Sequence, residues 1–202
     1  MQSVRNQIRK EIAKRKKGEI IFADELKKFG SAGAVRVTLF RLCKEGFIVR
    51  LSPCIYLYPN RNANDRIFYP PINGIIEQIA KHDNTKIVPT GMYALNALGL
   101  SDKMSLHFVF LHDGSARTLK IGKVLVVFKK TAPEKLSYES KVCALVIFAL
   151  KKIGKSNTTA EELTKIYEAL SHETDANIIH DASLAPQWIS NILMNYLKKR
   201  SE

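Results

Sequence analysis

Between Ser31 and Gly46 the chain carries a cap, an apolar stripe and a stop at the spacing of a single helix, and this segment limits the fold more than any other. Ser31 offers a capping hydroxyl, and Gly46 suits the left-handed position that ends a helix. Ala32, Val35, Leu39, Leu42 and Cys43 recur every three or four residues and form one apolar stripe. Gly33, Ala34, Val37, Arg41 and Lys44 fall on the opposite side of the helical wheel, with Arg36 and Thr38 flanking them. A helix divided in this way packs one face on a domain and leaves the other for a partner.

The flanking sequence fits such a helix into a known arrangement. Val4, Ile8 and Ile12 predict an amphipathic helix capped by Ser3, ending in the basic run Lys14-Arg15-Lys16-Lys17 and stopped by Gly18. Residues 23–29 predict a short second helix with Leu26 and Phe29 inward. Residues 47–51 and 55–58 are β-rich and surround Ser52-Pro53, the pattern of a hairpin. The order helix, helix, tight turn, helix, hairpin is that of a winged helix-turn-helix over residues 1–60. Residues 59–65 are polar and turn-rich and read as the linker to a second domain, residues 61–202.

Charge points the same way. Residues 1–60 carry 13 Lys and Arg against 5 Asp and Glu, out of a formal net charge of +13 for all 202 residues. A local basic footprint favours an anionic partner, nucleic acid first. On a helix that enters the major groove, Arg36 and Arg41 carry forked donors that reach guanine O6 and N7 or a phosphate, and Thr38 suits a base edge or a thymine methyl. Lys44 suits a phosphate, Ser31 opens the helix beside the DNA, and Arg50 with Ser52 lies in the wing. Lys16 and Lys17 add sequence-independent attraction. A solvated basic surface on an ordinary helical domain is the alternative; the element order and the hairpin favour the winged helix. A winged helix also serves protein–protein contacts, so the fold alone does not settle function.

The second half alternates helical and β-rich stretches. Residues 72–82, 90–98, 140–153, 160–171 and 187–199 are helical in pattern, with Thr90 the expected cap of the second. Residues 86–88, 106–111, 118–121 and 124–128 are β-rich and suggest a small antiparallel sheet. The whole is expected to be α+β: an N-terminal winged helix and a C-terminal mixed domain with a helical tail. Arg117, Lys120, Lys123, Lys129 and Lys130 crowd the β-rich stretch as a second basic strip or as protection of an edge strand.

Nothing in the sequence assembles a catalytic array. His82, His107, His112, His172 and His180 are scattered and suit surface or turn positions, with His107 and His112 on opposite faces of one strand. Cys43 and Cys143 lie on apolar stripes, Cys54 lies in the wing, and no paired-cysteine spacing suggests zinc. No enzyme activity, metal or cofactor is expected. The longest apolar run, residues 142–150, is about half what a membrane span needs, and the N-terminus lacks a signal-peptide core. No membrane is expected as partner, and a cytoplasmic location is.

Motifs across both halves resemble one family. Gly18-Glu19-Ile20-Ile21-Phe22, Asp24-Glu25-Leu26, Gly30-Ser31, Ala34-Val35, Leu39-Phe40-Arg41-Leu42, Gly46, Arg50-Leu51 and Tyr56 before Pro59 resemble the N-terminal winged helix of AbiE-type antitoxins. The stretch from Pro89-Thr90-Gly91-Met92 to Leu98-Gly99-Leu100-Ser101, with Asp113-Gly114-Ser115 and Lys120-Ile121-Gly122, is similar to their C-terminal region, more narrowly to a DUF6088-type branch. The resemblance spans about residues 5–155 and leaves 156–202 outside it. It implies a type IV toxin–antitoxin protein, from an abortive-infection system, with two roles. The winged helix represses its own operon at inverted repeats, as a monomer or weak homodimer. The C-terminal domain counteracts a nucleotidyltransferase-like toxin without a stable complex. In that family the wing carries a basic residue and a glycine before its second strand; here the turn reads Ser52-Pro53-Cys54. The other readings are a plain regulator with a dimerising or ligand-sensing C-terminal domain, and a nucleic-acid-processing enzyme.

Overall fold

A computed structural model describes residues 3–103 and 105–201. The chain is α+β and divides into two compact units, Met1–Asn84 with Leu119–Lys123, and Thr85–Thr118 with Val124–Glu202. The break lies at Asn84, so the helix over residues 72–83, expected with the second domain, belongs to the first unit.

The first unit begins with helix α1 (Val4–Ala13), whose Ser3 hydroxyl accepts from the Asn6 N–H at 3.3 Å. The helix ends at Ala13, before the basic run rather than through it. Strand β1 (Ile20–Phe22) follows, and all three of its residues are buried. Asp24–Phe29 forms a 3-10 helix rather than an α-helix. Helix α2 (Ala32–Lys44) is capped by Ser31, which accepts from the Ala34 N–H at 3.3 Å. Strands β2 (Val49–Ser52) and β3 (Ile55–Leu57) then form the hairpin. The sheet order is β1-β3-β2, antiparallel throughout, with Ile20 opposite Leu57 and Val49 opposite Leu57 on the other side.

Ile8, Ile12, Leu26, Leu39 and Leu42 are fully buried in one cluster with Ile21, Val35 and Ile48. Each such side chain stabilises the unit by about 1.5–3 kcal/mol relative to exposure. The apolar stripes of α1 and α2 thus meet over the sheet. Ala32, expected in the α2 stripe, is exposed instead.

Residues 59–65 are not a loose linker. Asn60–Arg61 (β4) pairs with Ile67–Phe68 (β5), and the Arg61 guanidinium donates to the Gly46 carbonyl at 2.9 Å and to Asp65. Helix α3 (Ile72–Asp83) buries Ile75, Ile76 and Ile79. Its Gln78 side-chain oxygen accepts from the Ile20 N–H at 2.8 Å, and its His82 ring stacks on Phe22 at 3.6 Å.

In the second unit β6 (Ile87–Pro89) leads to the short helix α4 (Met92–Ala97). Thr90 does not cap that helix: Gly91 takes the cap position at φ 56°, and the Thr90 hydroxyl donates to the Val109 carbonyl. Strands β7 (His107–His112) and β9 (Val124–Lys130) extend this unit's sheet in the order β6-β7-β9; of β8 (Arg117–Ile121), the residues from Leu119 on belong to the first unit. The sheet is mixed, not wholly antiparallel: β6 and β7 run antiparallel, whereas β7 and β9 run parallel with His107 opposite Leu125.

Helix α5 (Lys141–Ile153) is the axis of this unit. On one side it meets Val88 and Leu111 of the sheet, and on another it meets helices α6 (Ala160–Leu170), α7 (Asp175–Ser183) and α8 (Gln187–Ser201). The sequence pattern missed α7. It supplies Asp181, a fully buried carboxylate that accepts from the Glu139 and Ser140 N–H groups at 2.9 and 3.0 Å, just before α5 begins. A carboxylate there satisfies orphan donors and faces the positive end of the helix dipole. Among the described residues no helix is long and apolar enough to cross a membrane.

Candidate nucleic-acid interface

Helix α2 presents a sharply divided surface. Val35, Thr38, Leu39 and Leu42 are buried; Gly33, Arg36, Val37, Phe40, Arg41 and Lys44 are exposed. The Ser31 cap fixes where the helix starts, and Gly46 at φ 71° turns the chain into the hairpin. The buried stripe then sets the rotation of the helix, and so decides which side chains face outward.

Arg36, Arg41 and Lys44 take the outward positions expected of them. Thr38 does not: only 6% of it is exposed. It lies at the edge of the buried stripe, where the wheel allowed either face. Thr38 is therefore removed from the set of contact residues. Two residues outside that set replace it. Val37 is 45% exposed and Phe40 55%, both on the outward face. The Lys44 ammonium sits 5.0 Å over the Phe40 ring. The signal was in the sequence, because an aromatic opposite the buried stripe has no core to enter.

Glu45, the acid next to this face, is occupied. Arg5 and Arg9 of α1 hold its carboxylate at 2.6 and 3.1 Å. The arrangement leaves the positive charge of Arg36, Arg41 and Lys44 unopposed by their nearest acid.

Arg50 is exposed on β2, opposite Tyr56. The wing turn is short and held: the Ala23 N–H donates to the Cys54 carbonyl at 3.0 Å. Cys54 stands at φ 63°, where glycine would be unstrained, so the glycine-free turn closes by placing a cysteine in the left-handed region. Ser52 is buried and offers nothing at the tip.

Lys16 and Lys17 are exposed, but the basic run gathers its partners away from α2. Arg15 bridges Glu25 at 2.7 Å, the Lys16 N–H donates to the Glu19 carboxylate, and the Lys17 ammonium lies 3.7 Å over the Tyr58 ring. Arg15, Lys16, Lys17 and Glu19 line an open cleft together with Glu11 and Gln78.

The second basic strip is not continuous. Lys120 and Lys123 are exposed, whereas Arg117 is half-buried with its guanidinium 5.4 Å over the Phe128 ring, and burial lowers its pKa. His112 is fully buried and stands edge-on to the same ring at 5.5 Å. A surface or turn position is thus wrong for His112. Burial pushes its imidazole below the ordinary 6.5 despite Asp113 beside it. His107, five residues away, is exposed as expected. Among the described residues no group of three or more His, Cys, Asp or Glu could hold a metal ion.

What stands out is an α+β chain whose first unit offers one capped helix with a cationic outward face. The chain belongs to DUF6088, a family of unknown function, whose model matches residues 7–178. No curated protein matches it. Among solved structures it is similar to the RV2827C protein from Mycobacterium tuberculosis at 13% identity, covering 95% of this chain and 80% of that one, with a TM-score of 0.46.

Proposed function

We propose that the chain is a DNA-binding transcriptional autorepressor and antitoxin, with its first unit a winged helix-turn-helix. The observation that carries this reading is the outward face of α2, where Arg36, Arg41 and Lys44 stand on a rigid, capped helix of about the width of a major groove. The order α1, β1, 3-10 helix, α2, β2, β3 with its three-stranded sheet supports the winged-helix reading. In it α2 is the recognition helix, Arg50 lies in the wing, and Lys16 and Lys17 add phosphate attraction.

The antitoxin role belongs to the second unit and rests on the motif resemblance to AbiE-type antitoxins. In that role it counteracts a nucleotidyltransferase-like toxin in the cytoplasm and performs no catalysis itself. A plain regulator that dimerises through its second unit is the competing reading, favoured by the exposed Ile179, Leu184 and Met194 on and beside α7 and α8.

One full-length variant tests both roles. Arg36→Ala/Arg41→Ala/Lys44→Ala is expected to lose binding to the DNA upstream of its own gene in gel shifts. It should still rescue cells that express the neighbouring toxin. Retained DNA binding sinks the docking of α2, and loss of rescue by the folded variant sinks the separation of roles.

A further inference from the structure

The geometry points to Val37 and Phe40 as the residues that read sequence, by packing on thymine 5-methyl groups in the major groove; this rests on the DNA-binding reading above. At about 100° per residue, Gly33, Val37, Phe40 and Lys44 form the strip directly opposite the buried Val35, Thr38, Leu39 and Leu42, while Arg36 and Arg41 lie to either side of it. A helix laid in a groove about 12 Å wide turns its central strip to the base edges and its flanks to the two walls. Here the flanks are guanidinium groups and the centre is an apolar pair. The apolar feature of the groove floor is the thymine methyl, which adenine, guanine and cytosine lack. Gly33, with open space where a Cβ would stand, permits close approach at the start of the strip.

Charge decides the occupant. An exposed valine and phenylalanine also suit a second copy of the chain. A symmetric contact through this face would bring the cationic cluster of Arg36, Arg41 and Lys44 against the same cluster of the second copy, while the adjacent Glu45 is already held by Arg5 and Arg9. A polyanion covers the pair and neutralises its flanks together.

The test uses the full chain and a fragment of the DNA upstream of its gene, made with thymidine or with deoxyuridine throughout. The two duplexes carry the same charge and the same hydrogen-bonding edges and differ in the methyl. The wild-type chain is expected to bind the thymidine duplex more tightly, by about fourfold for each methyl covered. Val37→Ala/Phe40→Ala should bind both duplexes alike and keep the wild-type salt dependence, whereas Arg41→Ala should keep the preference and flatten the salt dependence. Both apolar side chains are exposed, so circular dichroism should show the double variant folded. Equal wild-type affinity for the two duplexes overturns the inference and leaves DNA binding standing. So does a methyl preference that survives in the double variant, including the case where that variant turns a dimer into a monomer. Binding to neither duplex overturns the DNA-binding reading as well.

Discussion

Replacing Asp181 by alanine should cost the second unit about 3 kcal/mol. The carboxylate is fully buried and joins α7 to the start of α5 by two backbone hydrogen bonds across 41 and 42 residues of sequence. Glu139 is exposed, so its N–H regains water once the carboxylate is gone. Ser140 is buried and its N–H does not. One charge-assisted hydrogen bond lost, about 1.5–3 kcal/mol, and one donor orphaned, about 1–3 kcal/mol, overlap rather than add, since both describe the same contact at Ser140. Loss of the carboxylate from the positive end of α5 contributes several tenths more. The chain's one tryptophan, Trp188, packs against the cluster around α5 and reports the unfolding of this unit. With a urea slope of about 2 kcal/mol per molar for a unit of this size, the midpoint followed by Trp188 fluorescence should fall by about 1.5 M. Asp181→Asn keeps the shape and one acceptor and should fall in between. A shift below about 0.5 M for the alanine variant would refute the assignment of Asp181 as the tie between α7 and α5.

Three further outcomes follow from the geometry. His112 is held neutral, with a folded pKa below the unfolded 6.5, so the second unit should be fully stable above pH 6.5 and lose stability as the pH falls from there toward the folded value, by up to about 1.4 kcal/mol per pH unit. Urea titrations at several pH values check this, and His112→Phe should remove that part of the slope. Arg41→Ala should weaken operator binding by about 1–3 kcal/mol in a gel shift, and Lys16→Ala should weaken all DNA sequences alike; each change should flatten the salt dependence by about one ion. Cys54→Gly should raise the stability of the first unit by about 1 kcal/mol in thermal denaturation, because it relieves a left-handed residue in the turn.

Elements with a long stripe and chemical punctuation were legible. α1 and α2 carry caps and periodic Ile, Val and Leu; both begin at those caps and α2 stops just before Gly46, whereas α1 ends at Ala13, short of Gly18. β1 carries no such mark: its three residues are all buried, so they do not alternate, and the strand exists because it pairs with β3 more than thirty residues away. The 59–65 segment reads as polar and turn-rich because it supplies only β4 and the turn of a small hairpin, held by Arg61 rather than by apolar burial. α7 has a short stripe interrupted by His180 and Asp181, and Asp181 is polar because it serves the end of another helix. The parallel pairing of β7 with β9 leaves no trace in either strand, since a strand's own alternation does not encode the direction of its neighbour. At the candidate interface the basic residues were found from charge and the wheel. A threonine at the border of a stripe fits either side, so nothing in the sequence marks Thr38 as buried, and Val37 and Phe40 carry no charge to mark them as contacts.

The cysteines, one in the wing, one half-buried in the first unit and one buried in the second, make the chain its own chemical clock. Cys54 is exposed, Cys43 is half-buried in the first unit, and Cys143 is buried in the second with its thiol pushed up to about 11. A thiol reagent at neutral pH consumes thiolate, so the exposed group should react in the first burst. Cys43 should follow at the rate at which α2 lifts from its cluster, and Cys143 at the rate at which the helices around α5 part. Read by mass spectrometry over time, three successive mass additions would time the breathing of two units in a single sample, with no label engineered in.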